Sequence, residues 1–458
     1  MRTWRGLRSR GGKFRGKISR GRKFRGKDIE RKEIQMKRSH MLRSSLLAIV
    51  TIALLAGGWA RARPNPVLSD RPRVVKVNDR PGVGGLSAAP AAGGTRLTLD
   101  SIGTQTHAAA LNDKSVRGPR VTGKGHLLIG YWQNFVNDAP ALALGKVPPH
   151  FDVINVSFGA PAEVSSATIT FAVNQSVETE GEFKRDVSGL HRRGKKVVLA
   201  IGGGDAVVQL KTSADVDHFV SSVGAIIKRF NFDGIDIDFE GESLALDQGD
   251  SDFRRPTTPT IVNLISALHR IRKMFGPAFI ISFAPETFFV QAAINGYSGR
   301  QGCYLPVIYG TRTILSYVQT QDYNSGTIRG LDNNIYAGGT ADFHVALTEL
   351  LLQGFNVAGD ASQFFPPVRP DQVVVGVPAS QQAAGTSPPS YTVPSDVGNA
   401  LNYLINGVPY SGHQYSLVNP AGYPGIRGLM MWSINWDAAA GTGMSALIGA
   451  LLKRPPAR

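Results

Sequence analysis

Residues 232–240 read FDGIDIDFE, which sets Asp236, Asp238 and Glu240 at every second position. Side chains alternate along an extended strand, so the three carboxyls share one face while Ile235, Ile237 and Phe239 share the other. Neighbouring members stand about 6.6 Å apart along the backbone. Like charges that close repel, and at least one carboxyl should keep its proton near neutrality. Two chemistries use such a row. One is a hard-cation site, where carboxylates are the ligands; the other is general acid catalysis by a carboxyl that its neighbours keep protonated. The metal reading wants further ligands, and few His or Asp residues cluster at the other strand ends. A solvated acidic edge is a poor fit to flanks this apolar.

The elements that must hold this row follow from the apolar pattern. Eight runs read as strands: 126–132, 151–158, 196–202, 232–240, 279–284, 314–324, 373–377 and 428–434. Near-continuous Val, Ile and Leu suit strands covered on both faces, as in a parallel sheet. Between them, Val216, Phe219, Val220, Val223, Ile227 and Phe230 recur at helical spacing, as do Ile261, Leu264, Ile265, Leu268 and Ile271 before a stop at Gly276. Eight strands alternating with helices predict an α/β fold, a (β/α)8 TIM barrel over residues 126–454, rather than an open doubly wound sheet. Gly202, Gly203 and Gly204 follow a strand, but they do not complete the spacing of a dinucleotide-binding loop.

The chain of 458 residues has a formal charge of +17, and its distribution matters more than its size. Residues 1–43 hold 17 Lys and Arg against 3 Asp and Glu, Arg61 and Arg63 add two more positive charges, and the remainder is close to neutral. A nucleic-acid-binding body is therefore disfavoured. Residues 1–40 read as a disordered, basic, low-complexity tail that lies upstream of a second start at Met41. Leu46 to Ala60 is apolar but short of the roughly 20 residues a spanning helix needs. Residues 41–62 thus read as a signal peptide with a small-x-small site at Ala60 to Ala62, and the chain as secreted. A membrane anchor with the barrel outside is the alternative. Residues 63–125 read as a loosely ordered linker rich in Pro, Gly and Ala. Residues 64–125 contain no Phe, Trp or Tyr, which argues against a sugar-binding module there. Cys303 is the only cysteine, so no internal disulfide forms and the residue reads as structural.

Asp233, Asp236, Asp238 and Glu240 together match the D-G-x-D-x-D-x-E signature, and here the chain resembles the glycoside hydrolases of family 18, the chitinase family. Other pieces resemble that family in its order: Gly130, Tyr131 and Trp132 ending the first strand; Ala284, Pro285 and Glu286; Gln321, Asp322, Tyr323 and Asn324; and the closing Trp432 to Asp437. One departure is that Ala200 stands where the family usually has a Ser that supports the first aspartates. That hydrogen bond must be missing or supplied elsewhere.

The resemblance implies a substrate-assisted retaining hydrolysis of β-1,4 bonds between N-acetylglucosamine units. Glu240 would be the general acid, its proton kept by the repulsion of the row. Asp238 would orient the substrate's acetamido group, Asp236 would share a proton or hydrogen bond with Asp238, and Tyr323 would donate to the acetamido carbonyl. Asp233, Gln321 and Asn324 would support them. Tyr131, Trp132, Trp432 and Glu286 would bind substrate, with Trp432 as the floor of the reacting-sugar subsite. Trp436 also falls just beyond a strand end, whereas Met430 and Met431 read as core. The resemblance implies no cofactor and no metal, a monomer, and chitin or its oligosaccharides as the partner. Asp247, Asp250 and Asp252 read as a surface loop rather than a calcium site. Two alternatives share the fold: an endo-β-N-acetylglucosaminidase acting on N-glycan cores, and a non-hydrolytic lectin. The lectin reading is weakened because Glu240 is kept.

Overall fold

The computed structural model describes residues 125–385 and 390–453. The tail at 1–40, the apolar segment at 41–62 and the linker at 63–125, save its last residue, lie outside them. Eight strands form the barrel: β1 (Leu127–Gln133), β2 (Val153–Pro161), β3 (Lys196–Gly202), β4 (Gly234–Asp238), β5 (Ile280–Phe283), β6 (Tyr317–Gln321), β7 (Val373–Pro378) and β8 (Gly428–Trp432). Each pairs in parallel with the next, and β8 pairs in parallel with β1, so the sheet closes.

Helices α1 (Glu180–Arg192), α2 (Ser213–Phe230), α3 (Pro259–Phe275), α4 (Leu305–Thr311), α5 (Ala341–Gln353), α6 (Pro394–Asn406) and α7 (Gly443–Leu452) follow β2 through β8 in turn. The connection after β1 holds only a 3-10 turn, Leu144–Lys146. Local sequence sets the helix ends. Thr179 and Thr212 each cap a helix reciprocally with the acid three residues on, and Gly276 closes α3 at φ 83°.

Closure divides every strand's side chains into two sets. Ile129, Tyr131, Val198, Ala200, Ile280, Tyr317 and Met430 pack inside the barrel. Leu128, Trp132, Ile235, Ile237, Phe239 and Met431 pack in the outer layer between strands and helices. Asp236 and Asp238 therefore point inward, as the alternation predicts.

Trp132 is a correction. The family resemblance puts it among the substrate contacts, but it is fully buried in the outer layer. There its indole N–H donates to the Leu142 carbonyl at 2.7 Å and its ring packs on Phe183. The reason is parity: Tyr131 takes the inward position, so its neighbour must face out. Replacing Trp132 with Ala should lower the unfolding free energy by about 3–5 kcal/mol. Urea titration measures this, and a loss below about 1 kcal/mol would contradict the packed position.

Candidate active site

β4 ends at Asp238, two residues before Glu240, so Glu240 is held by something other than strand pairing. Tyr304 supplies the hold. Its hydroxyl accepts from the Phe239 N–H at 2.9 Å and donates to the Phe239 carbonyl at 3.2 Å, pinning the backbone between the two acids. From the other side, the Gly203 N–H donates to the Asp238 carbonyl at 2.7 Å. Gly202 must be glycine: it has φ 116°, and a Cβ there would lie 2.1 Å from the same carbonyl.

Asp236 is fully buried and sits beside Ala200 in register on β3 and Ser282 on β5. The support that Ala200 cannot give comes from three donors: the Tyr131 hydroxyl, Ser282 Oγ at 2.6 Å and Gln319 Nε2 at 2.9 Å. Burial pushes the Asp236 carboxyl up to about 6 even though all three donors pull it down. Tyr131 thus binds a carboxylate below the mouth. The resemblance makes it a substrate contact, but it is 1% exposed.

Asp238 and Glu240 are joined by one side chain. Gln321 Nε2 lies 2.9 Å from Asp238 Oδ1, 3.1 Å from Glu240 Oε1 and 3.0 Å from the Ala284 carbonyl. Burial raises both carboxyls above their ordinary range. The repulsion acts on the pair as a whole: the charges of Glu240 and Asp236 add to burial at Asp238, the charge of Asp205 adds to burial at Glu240, and the bonds from Gln321 pull both carboxyls down. Two carboxyls this close in a water-poor barrel hold a proton between them, because ionising both would leave two facing charges.

Tyr323 is buried beside this pair, and its hydroxyl has no hydrogen-bond partner among the described residues. Burial, then the charges of Asp238 and Glu240, raise its pKa, so it stays a donor. Glu286, half-buried, is bridged to Gln321 through the backbone and is raised by burial and by the charge of Glu240. Trp432 ends β8 half-buried, stacked on Phe158 at 5.9 Å and edge-on to Tyr131 at 5.6 Å. Phe135 stacks on Phe158 in turn at 6.4 Å, so three rings run in a row along the mouth. Such a row presents apolar ring surface at the barrel mouth.

Several expected residues lie away from the acids. Asp233 is at the N-terminal rim, accepting from Lys196 Nζ at 2.7 Å and the Val197 N–H at 2.8 Å, with His191 also 2.8 Å away. It ties β4 to β3 and α1 at the end opposite the mouth. Asn324, at φ 55°, has its N–H bound to Ser390 Oγ at 2.7 Å and touches none of the acids. Trp436 lies in the short helix Ile434–Ala439, against the outer layer. Asp250 is buried rather than at the surface, its Oδ2 accepting from Thr257 and Thr258 while its Oδ1 has no hydrogen-bond partner among the described residues, and Asp252 pairs with Arg254. Cys303 is buried, and burial raises its thiol pKa.

Sequence reasoning missed Ser282, Gln319, Tyr304, Phe158 and Phe135. For the first two a signal existed: polar residues at inward positions of otherwise apolar strands. Tyr304 stands 65 residues beyond Phe239 in the chain, and nothing local marks it as the anchor of that residue.

With this geometry in view, the family model described as "Glycosyl hydrolases family 18" matches residues 127–422. Chitinase Chi52 of Paenibacillus xylanexedens is 47% identical over 340 residues, covering 74% of this chain and 63% of the relative. Chitinase D of Niallia circulans is 49% identical over 313 residues, covering 68% of this chain and 58% of the relative. The chain thus spans less than two thirds of the length of these relatives. Among solved structures, a family GH18 chitinase from Chromobacterium violaceum superposes with a TM-score of 0.65 at 34% identity, covering 72% of this chain and 84% of that one.

The raised carboxyl of Asp236 has a consequence for stability. The folded chain keeps this proton up to about pH 6, whereas the unfolded chain releases it near the ordinary value of 3.8. The contribution therefore favours folding fully below about pH 4 and is lost as pH rises through about 6. Relative to the wild type, Asp236→Asn should gain stability between those pH values, by roughly 3 kcal/mol at most. Urea titrations at several pH values measure the difference, and a difference independent of pH would refute it.

Proposed function

The chain belongs to the glycosyl hydrolases of family 18, and on that premise we propose that it hydrolyses the β-1,4 bonds of chitin and its oligosaccharides with retention of configuration. The observation that supports this best is the Asp238–Glu240 pair, bridged by Gln321, with the buried Tyr323 hydroxyl beside it unbonded among the described residues. A protonated carboxyl, a negative neighbour and a neutral donor are what a substrate-assisted cleavage needs within one small volume.

Glu240 gives its proton to the glycosidic oxygen as the bond from that oxygen to the sugar's anomeric carbon breaks. The carbonyl oxygen of the sugar's own acetamido group forms the new bond to that carbon and closes an oxazolinium ring. Asp238 accepts a hydrogen bond from the acetamido N–H and balances the positive charge that develops there. Tyr323 donates to the acetamido carbonyl oxygen and holds it in line for attack. Water then adds to the anomeric carbon as the bond from that carbon to the acetamido oxygen breaks, which reopens the ring and returns the neutral acetamido group. The water's proton passes to Glu240, restoring the acid. Trp432 stacks beneath the reacting sugar. Export directed by residues 41–62 would bring the enzyme to chitin, an insoluble polymer.

Glu240→Gln should lower turnover of chitin oligosaccharides by at least about a hundredfold while leaving their binding intact. Retention of more than about a tenth of the activity would remove Glu240 from the role of acid. Binding of oligosaccharides without turnover by the wild type, across roughly pH 4 to 8, would replace the hydrolase with a lectin.

A further inference from the structure

Behind Tyr323 lies a second polar network that touches none of the three acids. Asp322, His344 and Thr392 are all fully buried. His344 sits in the first turn of α5, with Nδ1 3.3 Å from Asp322 Oδ2 and Nε2 2.8 Å from Thr392 Oγ1. The other oxygen of Asp322 accepts from Thr320 Oγ1 at 3.0 Å, and Gln291 Nε2 donates to that hydroxyl at 3.1 Å. The Asp322 N–H donates to the Gly376 carbonyl on β7 at 3.1 Å. One residue beyond Tyr323, the Asn324 N–H donates to Ser390 Oγ at 2.7 Å.

This arrangement fixes the backbone on both sides of Tyr323 from the same short segment. Thr392 acts on Asp322 through the imidazole, and Ser390 acts on Asn324 directly. Such a clamp is needed because β6 stops at Gln321 and its last bond to β7 is made by the Asp322 N–H, so sheet pairing does not reach Tyr323 itself. Buried polar groups are costly unless bonded, and an Asp–His–Thr chain in the outer layer has easier apolar substitutes. A Tyr hydroxyl that must meet a substrate oxygen cannot be held by bonds of its own, so its backbone has to be held instead.

We infer that His344 is a positioning residue for Tyr323, linking Asp322 to Thr392 so that the tyrosine hydroxyl stays at the place where the substrate's acetamido carbonyl must lie. The inference rests on the hydrolase reading of Tyr323.

A double-mutant cycle on the full chain tests it, with a soluble chitin oligosaccharide as substrate. Tyr323→Phe alone should lower kcat at least about tenfold. His344→Asn keeps a nitrogen near Asp322 but gives up the bond to Thr392, and Thr392→Val removes only the hydroxyl; each should lower kcat about tenfold. Thr392→Ser should restore it. Placed on Tyr323→Phe, either substitution should add less than about a further twofold, because the hydroxyl it positions is already gone. Losses that multiply in the double variants would make the network structural and overturn the clamp while leaving the hydrolase reading intact. Wild-type kcat in Thr392→Val overturns the clamp as well, whether or not His344→Asn folds. No loss in Tyr323→Phe would overturn both the clamp and the role given to Tyr323.

Discussion

Carboxylic acids set inside a closed parallel barrel cannot be left as bare ions. Each must either keep a proton or meet donors from neighbouring strands, because water is largely excluded there. This constraint organises the inner face of the sheet. Asp236 draws Ser282 from β5, Gln319 from β6 and Tyr131 from β1, while Asp238 and Glu240 share the amide of Gln321. Closure is what makes this possible, since it turns strands far apart in sequence toward one axis.

The same constraint explains why the strand ends are so heavily anchored. Glu240 and Tyr323 both lie just past the last paired residue of their strands, where pairing no longer sets their positions. Tyr304 pins the first, and the segment from Ser390 to Thr392 holds the surroundings of the second. Glycine at 202 lets β3 end against the Asp238 carbonyl, which no side chain would permit. Chemistry placed at loop-like ends therefore depends on bonds that the barrel pattern itself does not provide.

Much of the fold was legible in advance. The eight strands fall within the eight apolar runs or within a few residues of them, and α2 and α3 coincide closely with their apolar periodicity. The inward placement of Asp236 and Asp238 followed from alternation alone. Trp132 went astray for the same reason that those succeeded: adjacent residues in a strand face opposite ways, and Tyr131 already held the inner position. The repulsion within the acidic row was also legible, whereas the burial that leads the rise of each carboxyl came into view only with the closed barrel.

By itself, the sequence determined the order of strands and helices, the acidic row with its alternating partners, and the family to which the row belongs. These depend on residue type and short spacing, which a linear chain displays in full. Only the tertiary structure decided which donors replace the one that Ala200 lacks, how Gln321 spans two acids, and that His344 stands behind Tyr323. Those contacts join residues 22 to 105 positions apart, and nothing in local spacing specifies them. They come into being when the sheet closes and brings eight strand ends around a single axis.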